Sequence, residues 1–132
     1  MYDLDKHRLD VREALTKRGL GSYMNDTKWR KLIDAIARLP FPPPYQRKDV
    51  LQLEPEPKTF DCDVGYVGDW SEGIHPFFSI EWIRVRPRYL RHAAQLLPKV
   101  VIDCEADLEF ALQSLRQPYE KSNGSILIYG YR

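Results

Sequence analysis

The stretch MNDTKWRKLIDAIARLPFPPPY, from Met24 to Tyr45, constrains the fold of this chain more than any other. Asn25, Asp26 and Thr27 are three successive helix-capping candidates, whose side-chain oxygens can accept the free N–H groups of a first turn. Trp29, Leu32, Ile33 and Ile36 then recur at helical spacing, so one apolar stripe faces a core while Lys28, Arg30, Lys31, Asp34 and Arg38 face water. The helix is predicted to end near Leu39, because Pro40 disfavours helical geometry in the residue before it. Pro42, Pro43 and Pro44 hold the next residues in an extended polyproline conformation. Proline-reading grooves of the SH3 type need a basic residue at a fixed offset from Pro40-x-x-Pro43, and those offsets hold Ala37 and Tyr45. The arm is therefore read as a stiff strap over the protein's own core, with Phe41 and Tyr45 as its plugs.

The rest of the chain alternates helical and extended patterns. Asp3 to Arg18 has Leu4, Val11, Ala14 and Leu15 at rough helical spacing, and Gly19 and Gly21 stop it. This first helix, within residues 1–23, is short, charged and expected to be peripheral. Tyr45 to Leu53 reads as a short strand, broken by Glu54-Pro55-Glu56-Pro57. Aromatic and β-branched residues then suggest two strands, Asp63 to Asp69 and Phe77 to Arg86, antiparallel across Ser71 to Pro76. Pro87 ends the second of these, a loosely helical or irregular passage covers Tyr89 to Leu97, and an apolar run follows from Val100 to Ile102. Asp103 can cap a helix with the stripe Cys104, Leu108, Ala111, Leu112 and Leu115. Ser122-Asn123-Gly124 marks a hairpin turn before Ser125 to Tyr131. The expectation is a single α+β domain over residues 1–132, an antiparallel sheet of about four to five strands packed by two or three helices, with a proline-rich arm at 40–45.

Charge narrows the function classes. With 20 Lys and Arg against 19 Asp and Glu, the formal net charge of +1 argues against a dedicated DNA-backbone binder. The two signs are nevertheless segregated. Six acids lie between Glu54 and Glu72 against Lys58 alone, and five bases with no acid lie between Arg84 and Lys99. No apolar run is long enough to span a bilayer and the first residues lack a signal-peptide core, so a cytoplasmic protein with two free thiols is expected.

Catalytic readings find little support. Cys62 and Cys104 each lie between two carboxylate residues, which disfavours a thiolate. His7, His75 and His92 are scattered, without the spacing of a metal motif. Asp61, Asp63, Asp69 and Glu72 fall at calcium-loop offsets, but that frame puts Tyr66 where a glycine must turn. An acid–base pair such as Asp69 and Glu72 keeps a carboxylate enzyme as one alternative. Neither a cofactor nor a metal is expected. Arg84, Arg86, Arg88 and Arg91, near Trp82 and Tyr89, form the alternative site, an RNA or other nucleic-acid contact made through charge and stacking.

The string Met24-Asn25-x-Thr27-Lys28-Trp29-Arg30-x-Leu32, the arm Pro42-Pro43-Pro44-Tyr45, Gly68-Asp69-Trp70, Glu81-Trp82-Ile83-x-x-Arg86-Pro87 and Tyr129-Gly130-Tyr131 together resemble a small family of uncharacterised bacterial proteins. The resemblance runs from about Met24 to the C-terminal residues. Proteins of this kind are similar to the immunity proteins of polymorphic toxin systems in size, compactness and lack of catalytic signature. The resemblance implies a non-enzymatic protein-binding domain that masks a toxin's active site. The contact is expected at Asp61, Asp63, Asp69 and Glu72, with Trp70 as an aromatic anchor.

Overall fold

The computed structural model describes residues 1–132 and shows an α+β domain with three helices and six strands. Helix α1, Leu4–Arg18, is capped by Asp3 and closed by Gly19 in the left-handed conformation. Helix α2, Asp26–Ile36, is capped by the Asn25 side chain, which accepts from the Lys28 N–H at 2.8 Å. It ends three residues before Leu39, because the chain turns at Ala37 to enter the strap.

The main sheet contains β1 (Tyr45–Asp49), β2 (Ile80–Val85), β5 (Glu120–Ser122) and β6 (Ser125–Tyr129), all antiparallel, in the order β1-β2-β6-β5. Side chains alternate across a sheet. On one face Ile83 and Val85 of β2 and Ile126 and Ile128 of β6 are fully buried, packed with Trp29, Leu32 and Ile36 of α2 and with Leu108 and Leu112 of α3 (Glu105–Ser114). On the other face Trp82, Arg84, Leu127 and Tyr129 remain half-exposed. The alternation shifts once: Lys48 and Asp49 pair with Trp82 and Ile80, so Glu81 is an extra residue in β2, and Ile80 rejoins the core face. Asn123 and Gly124, both at positive φ, make the tight turn between β5 and β6.

Two elements differ from the sequence expectation. Residues 63–69 are not a strand. The place beside β2 is taken by β1, and the segment's backbone groups bond elsewhere: Gly68 N–H to the Pro42 carbonyl at 3.0 Å, and the Val64 carbonyl to Leu90 N–H at 2.7 Å. The expected acidic strand opposite the arginines is therefore absent. Tyr89 to Leu97 is not helical either, and only its part beyond Arg91 is irregular. Its first residues form β3, Arg88–Arg91, paired with β4, Val100–Asp103, in a separate two-stranded ribbon. The partner that makes β3 a strand lies at Val100, too far along the chain for local periodicity to reveal it.

The proline strap is integral to the fold. A polyproline segment makes no hydrogen bonds of its own, and here three successive carbonyls find partners outside it. Pro42 accepts from Gly68 N–H, Pro43 from the Trp70 indole N–H at 2.7 Å, and Pro44 from Arg86 N–H at 3.1 Å. Pro43 and Pro44 are fully buried, Phe41 packs edge-on against Tyr89, and the Tyr45 hydroxyl donates to the Asp69 carbonyl at 2.6 Å. A side chain at Gly68 would collide with the Pro43 carbonyl, and one at Gly73 with the Tyr45 hydroxyl. The PPPY and GDW strings are thus two halves of one junction.

The YGY and EW strings form a second junction. The Glu81 carbonyl accepts from Gly130 and Tyr131 N–H, a side chain at Gly130 would meet the Ile80 carbonyl, and the Tyr131 hydroxyl donates to the Phe78 carbonyl.

Candidate functional site

The acidic residues singled out in the sequence do not converge. Asp63 accepts from Arg86 at 2.9 Å, and that guanidinium is only 8% exposed, so the pair belongs to the interior edge of the sheet. Asp69 closes a turn: its carboxylate accepts from Ser71 Oγ and from Glu72 N–H, both at 3.1 Å. The turn's backbone N–H groups, led by that of Glu72, hold its carboxyl below the usual carboxylate range. Asp61 is exposed earlier in the same connection and lines a different depression, with Arg84 and Arg86. No three His, Cys, Asp or Glu side chains are grouped to hold a metal ion. Trp70 is 4% exposed and edge-packed on Tyr45, so it is a core side chain and does not anchor a partner on the surface.

The arginines are likewise divided. Arg86 is paired with Asp63. Arg88 bridges Asp103 and Glu105 at 3.0 and 3.4 Å and donates to the Gly124 carbonyl, tying β3 to the start of α3 and to the hairpin. Arg91 is exposed at the end of β3. Arg84 projects from the open sheet face, its guanidinium 5.7 Å from the Trp82 ring centroid, and of the four arginines only Arg84 and Arg86 share a hollow. A single basic strip is therefore not formed, because β2 ends at Val85 and the last two arginines belong to another ribbon.

A concave surface forms between α2 and α3 instead. Ala35, Arg38, Leu39 and Pro40 from the end of α2 face Asp107, Phe110, Ala111, Ser114 and Leu115 from α3 around a depression of about 610 Å³. Phe110 is 72% exposed. It lies off the buried stripe of α3, which runs Cys104, Leu108, Leu112. Leu39 also lines a second depression of about 290 Å³ with Ile33, Ile36, Ala37, Pro42, Gly68, Asp69, Trp70 and Ser71. The two hollows are thus neighbours across one side chain, and together they join exposed apolar surface to the Asp69–Glu72 turn. Of the residues expected to bind a partner, Asp69 and the buried Trp70 line the second hollow, and Glu72 belongs to the same turn without lining it. Phe110 and Leu39 were not among them. The signal for Phe110 is its phase: a large aromatic on the solvent side of an otherwise regular amphipathic helix.

Two other groups bear on chemistry. Burial, reinforced by the negative charge of Asp103 and Asp107, pushes the Cys104 thiol up to about 12, which removes it as a nucleophile. Glu81, at the bulge of β2, accepts from Arg18 at 2.7 Å and from Lys48 at 2.8 Å. No helix is long and apolar enough to cross a membrane.

The chain belongs to a protein family described as a family of unknown function, DUF6678, whose model matches residues 11–132. The match begins inside α1, further toward the first residue than the motif strings that start at Met24. No curated protein and no solved structure matches the chain.

Proposed function

We propose that this protein is a non-enzymatic protein-binding domain of the immunity type, which neutralises a bacterial toxin in the cytoplasm by masking its active site. The observation that carries this reading is the double hollow around Leu39, where Phe110 stands 72% exposed beside Leu39, Pro40 and Leu115. Contiguous apolar surface of this kind marks interaction sites on otherwise well-packed domains. Aromatic residues at the centre of such a surface carry most of a partner's binding energy.

The charged rim indicates what kind of partner fits. Asp69 lines one hollow, with Glu72 next to it in the same turn, and Asp107 lies opposite Arg38 in the other. An apolar protrusion ringed by basic side chains complements this arrangement, and a toxin built to hold phosphate presents that kind of charge. Attraction between such faces speeds encounter more than it deepens affinity. Asp61 and Asp63 lie outside this surface and take no part.

The test is co-expression with the toxin-like product encoded immediately upstream. A one-to-one complex that survives gel filtration, weakened by Glu72→Lys, is the expected result. An isolated gene without such a neighbour, or a toxin that elutes separately, would sink the reading.

A further inference from the structure

Behind the hairpin turn, Arg84 and Arg86 line a hollow of about 280 Å³ with Gln46, Lys58, Asp61, Asn123 and Ser125. Two features set it apart from an ordinary surface dent. The Nε atoms of both arginines are buried and have no hydrogen-bond partner, although a buried guanidinium donor without an acceptor is costly. In addition, Arg86 is held rigidly: one terminal nitrogen donates to Asp63 and the other to the Phe60 carbonyl at 3.5 Å. Its partners therefore leave the Nε donor unmatched. Arg84 faces no carboxylate across the sheet, since its register neighbours are Gln46 on β1 and Leu127 on β6. The site thus has a preformed excess of donors, and an oxyanion is the acceptor that matches two guanidinium groups.

We propose that this hollow binds a small phosphate monoester that carries hydroxyl groups, such as a sugar phosphate. The phosphate is assigned to Arg84 and Arg86, supported by the amide of Asn123; the Ser125 hydroxyl is already donating to the Ser122 carbonyl at 2.7 Å. Asp61, the one carboxylate in the lining, would repel a second anionic group and accept from a ligand hydroxyl instead. The volume lies at the lower end of small-ligand sites, which suits a single phosphorylated sugar better than a dinucleotide. The site is independent of the α2/α3 surface.

Calorimetry with ribose 5-phosphate, inorganic phosphate and ribose, on the full chain, tests the assignment. Ribose 5-phosphate is expected to bind, inorganic phosphate about tenfold more weakly, and ribose not at all. Arg84→Gln, at a half-exposed position that leaves the Arg86–Asp63 pair intact, is expected to lower affinity at least about tenfold with unchanged circular dichroism. Asp61→Asn should narrow the preference for the ester over inorganic phosphate, since it weakens the hydroxyl contact and lessens the repulsion of the anion. No heat with either phosphate at millimolar concentration, or equal binding by Arg84→Gln, would overturn the proposal. Equal affinity for the ester and inorganic phosphate would overturn the hydroxyl contact. Much tighter binding of a 5′-phosphorylated RNA oligonucleotide than of ribose 5-phosphate would overturn the small-molecule assignment in favour of a nucleic-acid end.

Discussion

Single residues set the chemistry of this protein through burial and pairing. Cys62 is exposed and Cys104 is buried with a raised pKa of about 12. A thiol reagent such as DTNB is therefore expected to modify Cys62 alone in the native protein and both cysteines after unfolding. Fast native reaction at Cys104 would contradict its placement.

Glu81 makes a pH-dependent contribution. Burial alone would raise its carboxyl, but hydrogen bonds from Arg18 and Lys48 outweigh that and hold it below the ordinary 4.5. A depressed folded-state value means the stabilisation is complete above the unfolded value and disappears as pH falls through the folded one. Glu81→Gln should thus lower the melting temperature at pH 7, with the gap to wild type closing below about pH 4. A gap independent of pH would show that the pairing contributes nothing.

At the scale of elements, the strap and the loop that carries Gly68 are one unit. Gly68→Ala forces a methyl group into the Pro43 carbonyl and disturbs the Trp70 hydrogen bond, so a loss of roughly 1–3 kcal/mol is expected from urea unfolding. An unchanged midpoint would mean that the strap lies more loosely than described.

What the sequence revealed follows from the range of the forces involved. The caps at Asn25 and Gly19, the apolar stripe of α2 and the Asn123-Gly124 turn are local, and all were legible. The end of α2 was overshot because Pro40 restricts only its immediate neighbour, while the turn at Ala37 serves the tertiary path into the strap. Residues 63–69 looked like a strand on composition. Strand pairing is decided by which segment packs best along the edge of β2, and Tyr45–Asp49 holds that edge. The Arg88–Arg91 strand was missed for the same reason, since its ladder is closed by residues about ten positions further on.

Across the whole molecule, α2 and α3 cover one face of the sheet and leave two surfaces with unmet demands. One is apolar, around Leu39 and Phe110; the other is rich in donors, at Arg84 and Arg86. The acidic segment between Asp61 and Glu72 was recognisable as unusual from composition. Its division into a part-buried ion pair at Asp63, a turn at Asp69 and an acid beside another hollow at Asp61 was not, because pairing across the fold leaves no local trace. Phe110 was legible in principle, as an aromatic out of phase with its helix.

The central claim, that the α2/α3 surface is where a toxin docks, is tested most directly by the dissociation constant of the complex with the upstream-encoded protein. Phe110→Asp should raise it by about thirtyfold or more, the usual loss for a central aromatic. Arg91→Glu, on the exposed end of the β3–β4 ribbon, should leave it within about threefold. An unchanged constant for Phe110→Asp, with the melting temperature also unchanged, would contradict the account.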